Sequence, residues 1–599
     1  MVPTWETSSD CATLPAISEQ RGHRIPVESS VDTKTVVGVL EEIAVLLELK
    51  GENPFKSRTY TSVARNLEQH AEDVQTLVAE KRLREVKGVG DALEQKIEEL
   101  VSTGALIYHQ KLRAEFPDTL FDLFGIPGLG GKRIKTLYRD VGITSLDELE
   151  QACNEDRIAA LKGFGAKSQN KMLEGIAFAR LHEGQHLVHK ARAEADRLLA
   201  HLKKSESIIR IEVAGSLRRC KEVVKDVDII ASAKDPIALM KRFVEFEDVT
   251  NVTGHGDTKS SIILESGIAA DLRVVTDEQF PYALHHFTGS KEHNVAMRQR
   301  AKDRGLKMNE YGLFNEKEEN ISCKNEAAIF KKLELPFIPP ELREDNGELT
   351  LKKIPPLIEH EDLIGVVHCH STYSDGRASI EDMAIAAKEL GFKYFGLADH
   401  SQSAAYAGGL REAAIKKQHQ EIDALNKKLK GIRILKGIES DIRADGSLDY
   451  PEKILKQFDF IVASVHSNQN MNEAEATKRV LRAIEDPHTT ILGHPTGRLL
   501  LQREGYPLKW DAIFEACSKH RVAIEINANP RRLDIDWRLI KRAKEHGILF
   551  SIGPDAHSTQ GLEDVQYGVD IARKGWLTPD DILNCLDADA FVAWKGGDN

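Results

Sequence analysis

Asp226 and Asp228 stand two residues apart near the end of Gly215–Ile230, Gly-Ser-Leu-Arg-Arg-Cys-Lys-Glu-Val-Val-Lys-Asp-Val-Asp-Ile-Ile. The run that carries them reads as a β-strand, and an extended backbone sends both carboxylates to one face. Like charges that close repel unless a cation lies between them. Hard carboxylate oxygens suit Mg²⁺, which also keeps waters and ligand phosphates in its shell. Gly215 and Ser216 leave a preceding β-type run, Ile208–Val213, in a turn whose amides suit phosphate oxygens, with Arg218 and Arg219 beside it. Asp271, in Ala-Ala-Asp-Leu-Arg-Val-Val, offers a third carboxylate from a neighbouring strand. Three such acids can hold two divalent ions, one activating a 3′-hydroxyl and one steadying the leaving pyrophosphate. Asp226, Asp228 and Asp271 are therefore candidate catalytic residues and ligands of Mg²⁺ or Mn²⁺. The competing reading, solvated acids at a strand start, does not account for the Gly-Ser turn upstream or for Asp271.

A second set of metal-binding residue types falls at the ends of apolar runs between Leu363 and the carboxy terminus. These are His368 and His370 with Asp375 in the next turn, then His400, Glu439, His466, His494, Asp555 and His557. Any one of these histidines would pass as a packed or solvated residue, but nine ligand types at repeated strand ends do not. The apolar strands alternate with amphipathic helical segments, the pattern of a βα sheet or barrel, and in a barrel the strand ends converge on one face. His368 and His370 are two apart and point to one side. Imidazole mixed with carboxylate suits Zn²⁺, Mn²⁺ or iron, and the spacing does not choose among them. Nine ligands suit two or three ions and metal-assisted hydrolysis of a phosphoester. Cys369 lies between two ligands but on the opposite face.

The elements that must position these groups follow from the rest of the chain. At 599 residues it exceeds one core and requires three or more domains. A hydrophobic content of 41% and a charged content of 29% are those of a soluble globular protein, and no apolar run reaches membrane-spanning length. The opening residues lack a basic-then-apolar signal pattern. Seven cysteines without a Cys-x-x-Cys spacing suit a reducing cytoplasm. A net charge of −12 argues against whole-surface attraction to nucleic acid, so DNA contact has to come from local basic patches.

One such region is a repeat. Gly88-x-Gly90, Gly128-x-Gly130 and Gly163-x-Gly165 each precede a helical segment, and Lys132 and Lys167 follow the second and third. Glycine lets the backbone approach a phosphate, and the helix start donates free amides. The first copy is weaker, with Asp91 directly after Gly90.

Together these motifs resemble two known families. The Gly-Ser…Asp-x-Asp spacing, Asp271 and His286-Phe-Thr-Gly-Ser290 are similar to the family X DNA polymerases. The Gly-x-Gly repeats look like helix-hairpin-helix modules, which grip the DNA backbone without reading sequence. His368-x-His370, Ala-Asp-His400, Glu439, His466, Gly-His494-Pro and Asp555-x-His557 resemble the polymerase and histidinol phosphatase (PHP) domain, whose fold is a distorted seven-stranded βα barrel. The resemblance implies that Ser216 and Arg219 hold the triphosphate, with Gly215 beside them. It places Phe287 under the sugar, Gly289 at a close backbone approach and Asn294 at the base edge. Core packing competes for Phe287. His286 stands where the best-known vertebrate members have Tyr, and Ala269 where they carry a basic residue that orients the third carboxylate. Glu52-Asn-Pro-Phe-Lys-Ser-Arg-Thr-Tyr60 is similar to the start of an amino-terminal lyase domain, whose Schiff-base lysine falls on Lys96. Glu94, Glu98 and Glu99 nearby favour a charged ammonium, so a phosphate contact or a solvated helix residue stays open for Lys96.

The expected architecture is multidomain, α and α/β. It comprises a disordered leader (1–33), a helical lyase-like domain (34–115), a second helix-hairpin-helix domain (116–185) and a nucleotidyltransferase palm with a mixed sheet (186–284). A thumb-like subdomain (285–335), a Pro-rich linker (336–362) and the PHP barrel (363–599) complete it. The resemblance implies a cytoplasmic, nucleoid-associated and monomeric DNA-repair polymerase that fills short gaps from dNTPs. The barrel would act as a Mn²⁺- or Zn²⁺-dependent 3′–5′ exonuclease, trimming 3′ ends or nicking abasic sites. Its expected partners are gapped duplex, primer-template and 3′ ends, with no membrane. The alternative is a DNA-repair phosphoesterase whose polymerase half only binds DNA ends.

Overall fold

The structure, a computed structural model, describes residues 31, 33–68, 70, 72–126 and 129–596. Most of the leader and Gly128 of the second repeat lie outside the described residues. The chain divides into two compact units, Met1–Gln169 and Asn170–Asn599. Among the described residues no helix is long and apolar enough to cross a membrane.

In the first unit, α1 (Thr33–Lys50) buries Val36, Leu40, Ile43 and Leu47, the three- and four-residue steps of one helix face. It packs on α2 (Pro54–Glu68) and shares a core with α3 (Asp91–Thr103) and α4 (Ile107–Arg113). The repeat glycines occupy the entries of three helices: Gly90 caps α3, Gly130 caps α5 (Gly131–Thr136), and Gly165 precedes α6 (Ala166–Leu181). Gly88 and Gly163 have φ of +95° and +89°, where a side chain would be strained.

The second unit opens with a mixed five-stranded sheet of β1 (Ile208–Val213), β2 (Asp226–Ala233), β3 (Val249–His255), β4 (Lys259–Leu264) and β5 (Ala269–Val275). The strand order is β1-β2-β5-β4-β3; β2 and β5 are parallel and the other pairs antiparallel. Alternation decides the faces. Val227, Ile229 and Ala231 go into the core, while Asp226 and Asp228 are left on the accessible side. The turn at Gly215 is the start of the one-turn α7 (Gly215–Arg218). Beyond the sheet, α8 (Phe280–Thr288) and α9 (Lys291–Lys302) lead into a small core around Tyr282, Met297 and Phe330.

The Pro-rich stretch 336–362 contains only three-residue helical turns, as proline density dictates. It is packed rather than loose: Ile338, Leu342 and Ile358 are buried, and Arg343 is fully enclosed in an ion pair with Glu326.

From Gly365 the chain forms seven parallel strands that pair in sequence order. These are β6 (Gly365–Cys369), β7 (Tyr394–Leu397), β8 (Arg433–Asp441), β9 (Phe460–Ser464), β10 (Ile491–Leu492), β11 (Ala523–Asn527) and β12 (Phe550–Gly553). A bridge from Cys369 to Ala556 brings the last strand back to the first, so the sheet is nearly closed. Every residue of β6, β7, β9, β11 and β12 is buried, as expected of parallel strands covered on both sides.

Candidate active sites

The palm acids meet because of register. Asp228 on β2 is the direct partner of Asp271 on the parallel β5, and Asp226 is the partner of Ala269. Burial first, then the charges of Asp226 and Asp271, push Asp228 up to about 7, and burial with the charge of Asp271 raises Asp226. Three repelling carboxylates on two adjoining strands are a donor set that fits divalent cations. Gly215 closes the other side. Its φ is +66°, and a Cβ there would fall 2.2 Å from Asp228 Oδ2. The Ala214 amide donates to the Asp228 carbonyl at 2.8 Å, fixing turn against strand.

Ala269 puts no basic residue two positions before Asp271, and β4 supplies a cation from across the sheet. Lys259 pairs with Arg273 in the β4–β5 register, so it is the diagonal neighbour of Asp271 on the same face. Its ammonium lies 2.6 Å from Asp271 Oδ2. Sequence reading missed this residue because the cation comes from across the sheet.

Arg218 faces away from the acids, donating to Glu326 at 2.8 and 3.1 Å and to Thr288 Oγ1 at 2.8 Å. Arg219 donates to Glu344 at 3.0 Å and to the Thr288 carbonyl at 2.7 Å. Ser216 follows Gly215 on the same turn. Phe287 packs against Ala214, Ile230 and Ala283 and carries the Arg273 guanidinium 4.4 Å above its ring, so it belongs to the core as well as bordering the site. The Asn294 amide donates to the His286 and Gly289 carbonyls at 2.7 and 3.1 Å. A Cβ on Gly289 would lie 2.8 Å from the His293 ring and 3.0 Å from Asn294, so the close approach expected there is made by the chain itself.

In the barrel all nine expected ligands converge. Three clusters have ligand atoms within 4.8 Å of one another: His370, Asp375, His400 and His557; His368, His370 and Asp555; and His400, Glu439 and His466. Glu439, inside β8, is the hub, lying 2.8 Å from His400, 3.1 Å from His466, 3.0 Å from His494 and 3.3 Å from His368. Burial works against its charge, but His466, His400 and His368 together hold it well below the usual carboxylate range. Against the burial that lowers it, Glu439 and Asp441 push His466 up to about 10. Buried ring nitrogens of His368, His370, His400 and His494 and one Glu439 oxygen have no hydrogen-bond partner among the described residues. Orphaned donors on histidine and carboxylate facing one another fit bound cations better than a packed core.

His368, His494 and Asp555 have φ of +60°, +23° and +53°, so three ligands sit in left-handed backbone at strand ends, the kind of strain that gathers at functional sites. For His368 this modifies the expectation. A register shift between Val366 and Cys369 breaks the regular alternation, yet the His368 and His370 rings still join one cluster, 5.4 Å apart. Cys369 turns its thiol back to the Val367 carbonyl and takes no part.

Two carboxylates in this site escaped the sequence reading. Glu525 on β11 pairs with His368 Nδ1 and accepts from the His494 amide at 2.6 Å. Asp441 accepts from His466 Nδ1 at 2.5 Å. Such partners fix which ring nitrogen is left for a metal. Asp441 could have been found: it follows Glu439 by two on the same strand, the spacing of His368 and His370. Glu525, in the strand Ala523-Ile-Glu-Ile-Asn527, gave no signal beyond being a charge between two isoleucines.

In the first unit, Gly88, Gly90, Gly130, Gly163 and Gly165 lie at their helix entries, and the side chains of Lys132 and Lys167 are exposed. Asp91 and Glu94, the acids that weaken the first repeat, both pair with Arg84. Lys96 is half-buried, with two tyrosines beside its amine. It donates to Tyr60 Oη at 2.5 Å and lies 3.9 Å from the Tyr108 ring centre, and burial there lowers its pKa despite Glu99.

Comparison with known proteins matches these regions to separate families. Residues 32–106 match the helix-hairpin-helix domain, 121–177 the SAM-like helix-hairpin-helix tandem, 283–344 the DNA polymerase beta thumb and 367–529 the PHP domain. The "DNA polymerase/3'-5' exonuclease PolX" of Bacillus subtilis is 39% identical over 566 residues, spanning 93% of this chain and 99% of that protein. A "Probable phosphatase" of Thermoanaerobacter sp. is 28% identical over 36% of this chain and 88% of its own length. The crystal structure of Leishmania infantum polymerase beta in a ternary complex covers 38% of this chain and 98% of its own at 24% identity, with a TM-score of 0.26. Near-complete two-way coverage by PolX, with the thumb and PHP matches falling in the expected order, shows that the chain belongs to the family X DNA polymerases that carry a carboxy-terminal PHP domain.

Proposed function

We propose that the chain is a cytoplasmic DNA-repair polymerase that fills short gaps from dNTPs and trims 3′ ends with its PHP barrel. The observation that carries the first half is the direct register of Asp228 with Asp271 against the Gly215 turn. Asp226, Asp228 and Asp271 would hold Mg²⁺ or Mn²⁺, which when bound supplies charge stabilisation to phosphoryl transfer. Gly215, Ser216 and Arg219 bind the triphosphate, Phe287 and Asn294 border the nucleotide, and Lys259 keeps the Asp271 carboxylate turned to the site. The exposed Lys132 and Lys167 and the helix entries hold the DNA backbone without base readout.

In the barrel, His368, His370, Asp375, His400, Glu439, His466, His494, Asp555 and His557 would hold two or three divalent ions, Mn²⁺ or Zn²⁺, which supply a nucleophile and a clamp for phosphoester hydrolysis. Glu525 and Asp441 orient the rings of His368 and His466. The third activity is removal of a 5′-deoxyribose phosphate by Lys96, supported by an amine whose burial between Tyr60 and Tyr108 favours the neutral nucleophile.

The test is a labelled primer on a gapped duplex with the chain and its Asp228→Ala and His368→Ala variants, with and without dNTPs, in Mg²⁺ and then Mn²⁺. Extension lost in the first and shortening lost in the second support the reading. Shortening without any dNTP-dependent extension would favour a phosphoesterase whose polymerase half only binds ends.

A further inference from the structure

The loop that follows the nucleotide turn, Arg219 to Glu222, is fastened to the PHP barrel residue by residue. The contacts come from α10 (Trp537–Glu545) and α11 (Val565–Lys574). Glu222 is buried and accepts from Trp537 Nε1 at 3.1 Å and from Arg538 at 3.1 Å. The Lys221 ammonium lies 5.9 Å from the Trp537 ring centre. Lys574, with a side-chain exposure of 0%, reaches the loop itself. Its three donors meet three acceptors: the Arg219 carbonyl at 3.0 Å, the Glu341 carbonyl at 3.2 Å and Glu344 Oε1 at 2.6 Å. Glu344 Oε1 also accepts from Arg219 Nε at 3.0 Å. One carboxylate oxygen therefore serves a cation of each catalytic half, and the barrel lysine grips both the backbone of Arg219 and its side-chain partner.

We propose that Lys574 is a positioning residue for nucleotide binding: by sharing Glu344 it lets Arg219 turn to an incoming triphosphate. This rests on the reading of Arg219 as a triphosphate ligand. The physical reason is competition. A dNTP that draws the guanidinium to itself competes with the Nε bond to Glu344, and taking a close cation from a partly buried carboxylate is disfavoured. With Lys574 in place, Glu344 keeps a counter-ion when Arg219 leaves. Without it, Glu344 holds Arg219 against the nucleotide. A contact that merely glued the domains together would not need to converge on the arginine's own carbonyl and partner.

The test uses the full-length chain carrying Lys574→Met, Glu344→Gln, both together, or Arg219→Ala. The readouts are dNTP KM and kcat in gap filling, dNTP dissociation constant by thermal shift with Ca²⁺, and 3′ trimming as an internal fold control. Lys574→Met is expected to raise KM and the dissociation constant about tenfold with kcat changed less than about twofold and trimming unchanged. Glu344→Gln, which ends the competition, should leave dNTP binding equal to or tighter than that of the unaltered chain, and the double variant should behave like Glu344→Gln. That non-additivity is the signature of one shared partner. Unchanged binding in Lys574→Met, or loss of synthesis and trimming together without rescue by Glu344→Gln, would overturn the proposal. If Lys574→Met does not fold, weaker dNTP binding in Glu344→Gln alone overturns it. If Arg219→Ala leaves dNTP binding unchanged, the reading of Arg219 itself fails. A rise there with none in Lys574→Met defeats only the part assigned to the barrel.

Discussion

A Cβ placed on Gly215 would lie 2.2 Å from Oδ2 of Asp228, inside any permitted contact. Gly215→Ala must therefore displace either the Gly215 turn or the Asp228 carboxylate. An error of about 1 Å in such a site costs on the order of a hundredfold in rate. We expect gap filling to fall by about that factor while 3′ trimming is untouched, measured on one labelled duplex. Full synthesis in the variant would contradict the placement.

Lys259 lies 2.6 Å from Asp271 Oδ2, reaching it from the neighbouring strand. Removing one partner of a charge-assisted bond leaves Asp271 free to turn away. Lys259→Ala is expected to lower kcat and weaken Mn²⁺ binding, each about tenfold, with dNTP KM little changed; Lys259→Arg should restore most of both. Mn²⁺ titration followed by electron paramagnetic resonance reads the affinity directly.

Asp228 titrates at about 7 against an ordinary 3.8, so the fold carries a penalty once this group is ionised. Between those values the folded state binds more protons than the unfolded state. Stability without metal therefore falls as pH rises through that window, and the penalty is fully present above it. In EDTA, Asp228→Asn should melt higher than the unaltered chain at pH 8, and the advantage should vanish near pH 4. A melting difference independent of pH would contradict this.

How much of this was legible from the residues depended on where the information lies along the chain. Asp226 with Asp228, and His368 with His370, are local pairs whose spacing alone sets a common face. Strand ends in the barrel were readable because apolar runs stop where ligands begin. The Lys259–Asp271 pair, the Glu525–His368 pair and the Lys574–Glu344–Arg219 convergence join residues from different strands or halves, and no local spacing encodes such contacts. The surroundings of Lys96 were hidden for the same reason: Glu94, Glu98 and Glu99 are its neighbours in sequence, but Tyr60 and Tyr108 are its neighbours in space. Proline density in 336–362 correctly excluded long helices, yet said nothing of the burial of Arg343.

Glu525 and Asp441 fix the rings of His368 and His466. Glu525→Gln and Asp441→Asn keep shape and remove charge. Each should weaken metal binding at the barrel by about 10–100-fold, with trimming recovered at high Mn²⁺ and synthesis unaffected. Isothermal titration of metal into the metal-free chain is the check.

Lys96, held by Tyr60 and Tyr108, should form a borohydride-trappable adduct with a 5′-deoxyribose phosphate end. Lys96→Ala should lose the adduct and keep gap filling. An adduct of equal yield in the variant would assign the amine elsewhere.

Under the proposed function one chain holds two separate phosphoester chemistries, synthesis on the palm acids and trimming in the barrel. Following a single 5′-labelled primer on a gapped duplex with Asp228→Ala and His368→Ala measures both at once. The account requires the first variant to shorten but never lengthen the primer, and the second to lengthen but never shorten it. Loss of both activities in either variant, or retention of lengthening by Asp228→Ala, would contradict it.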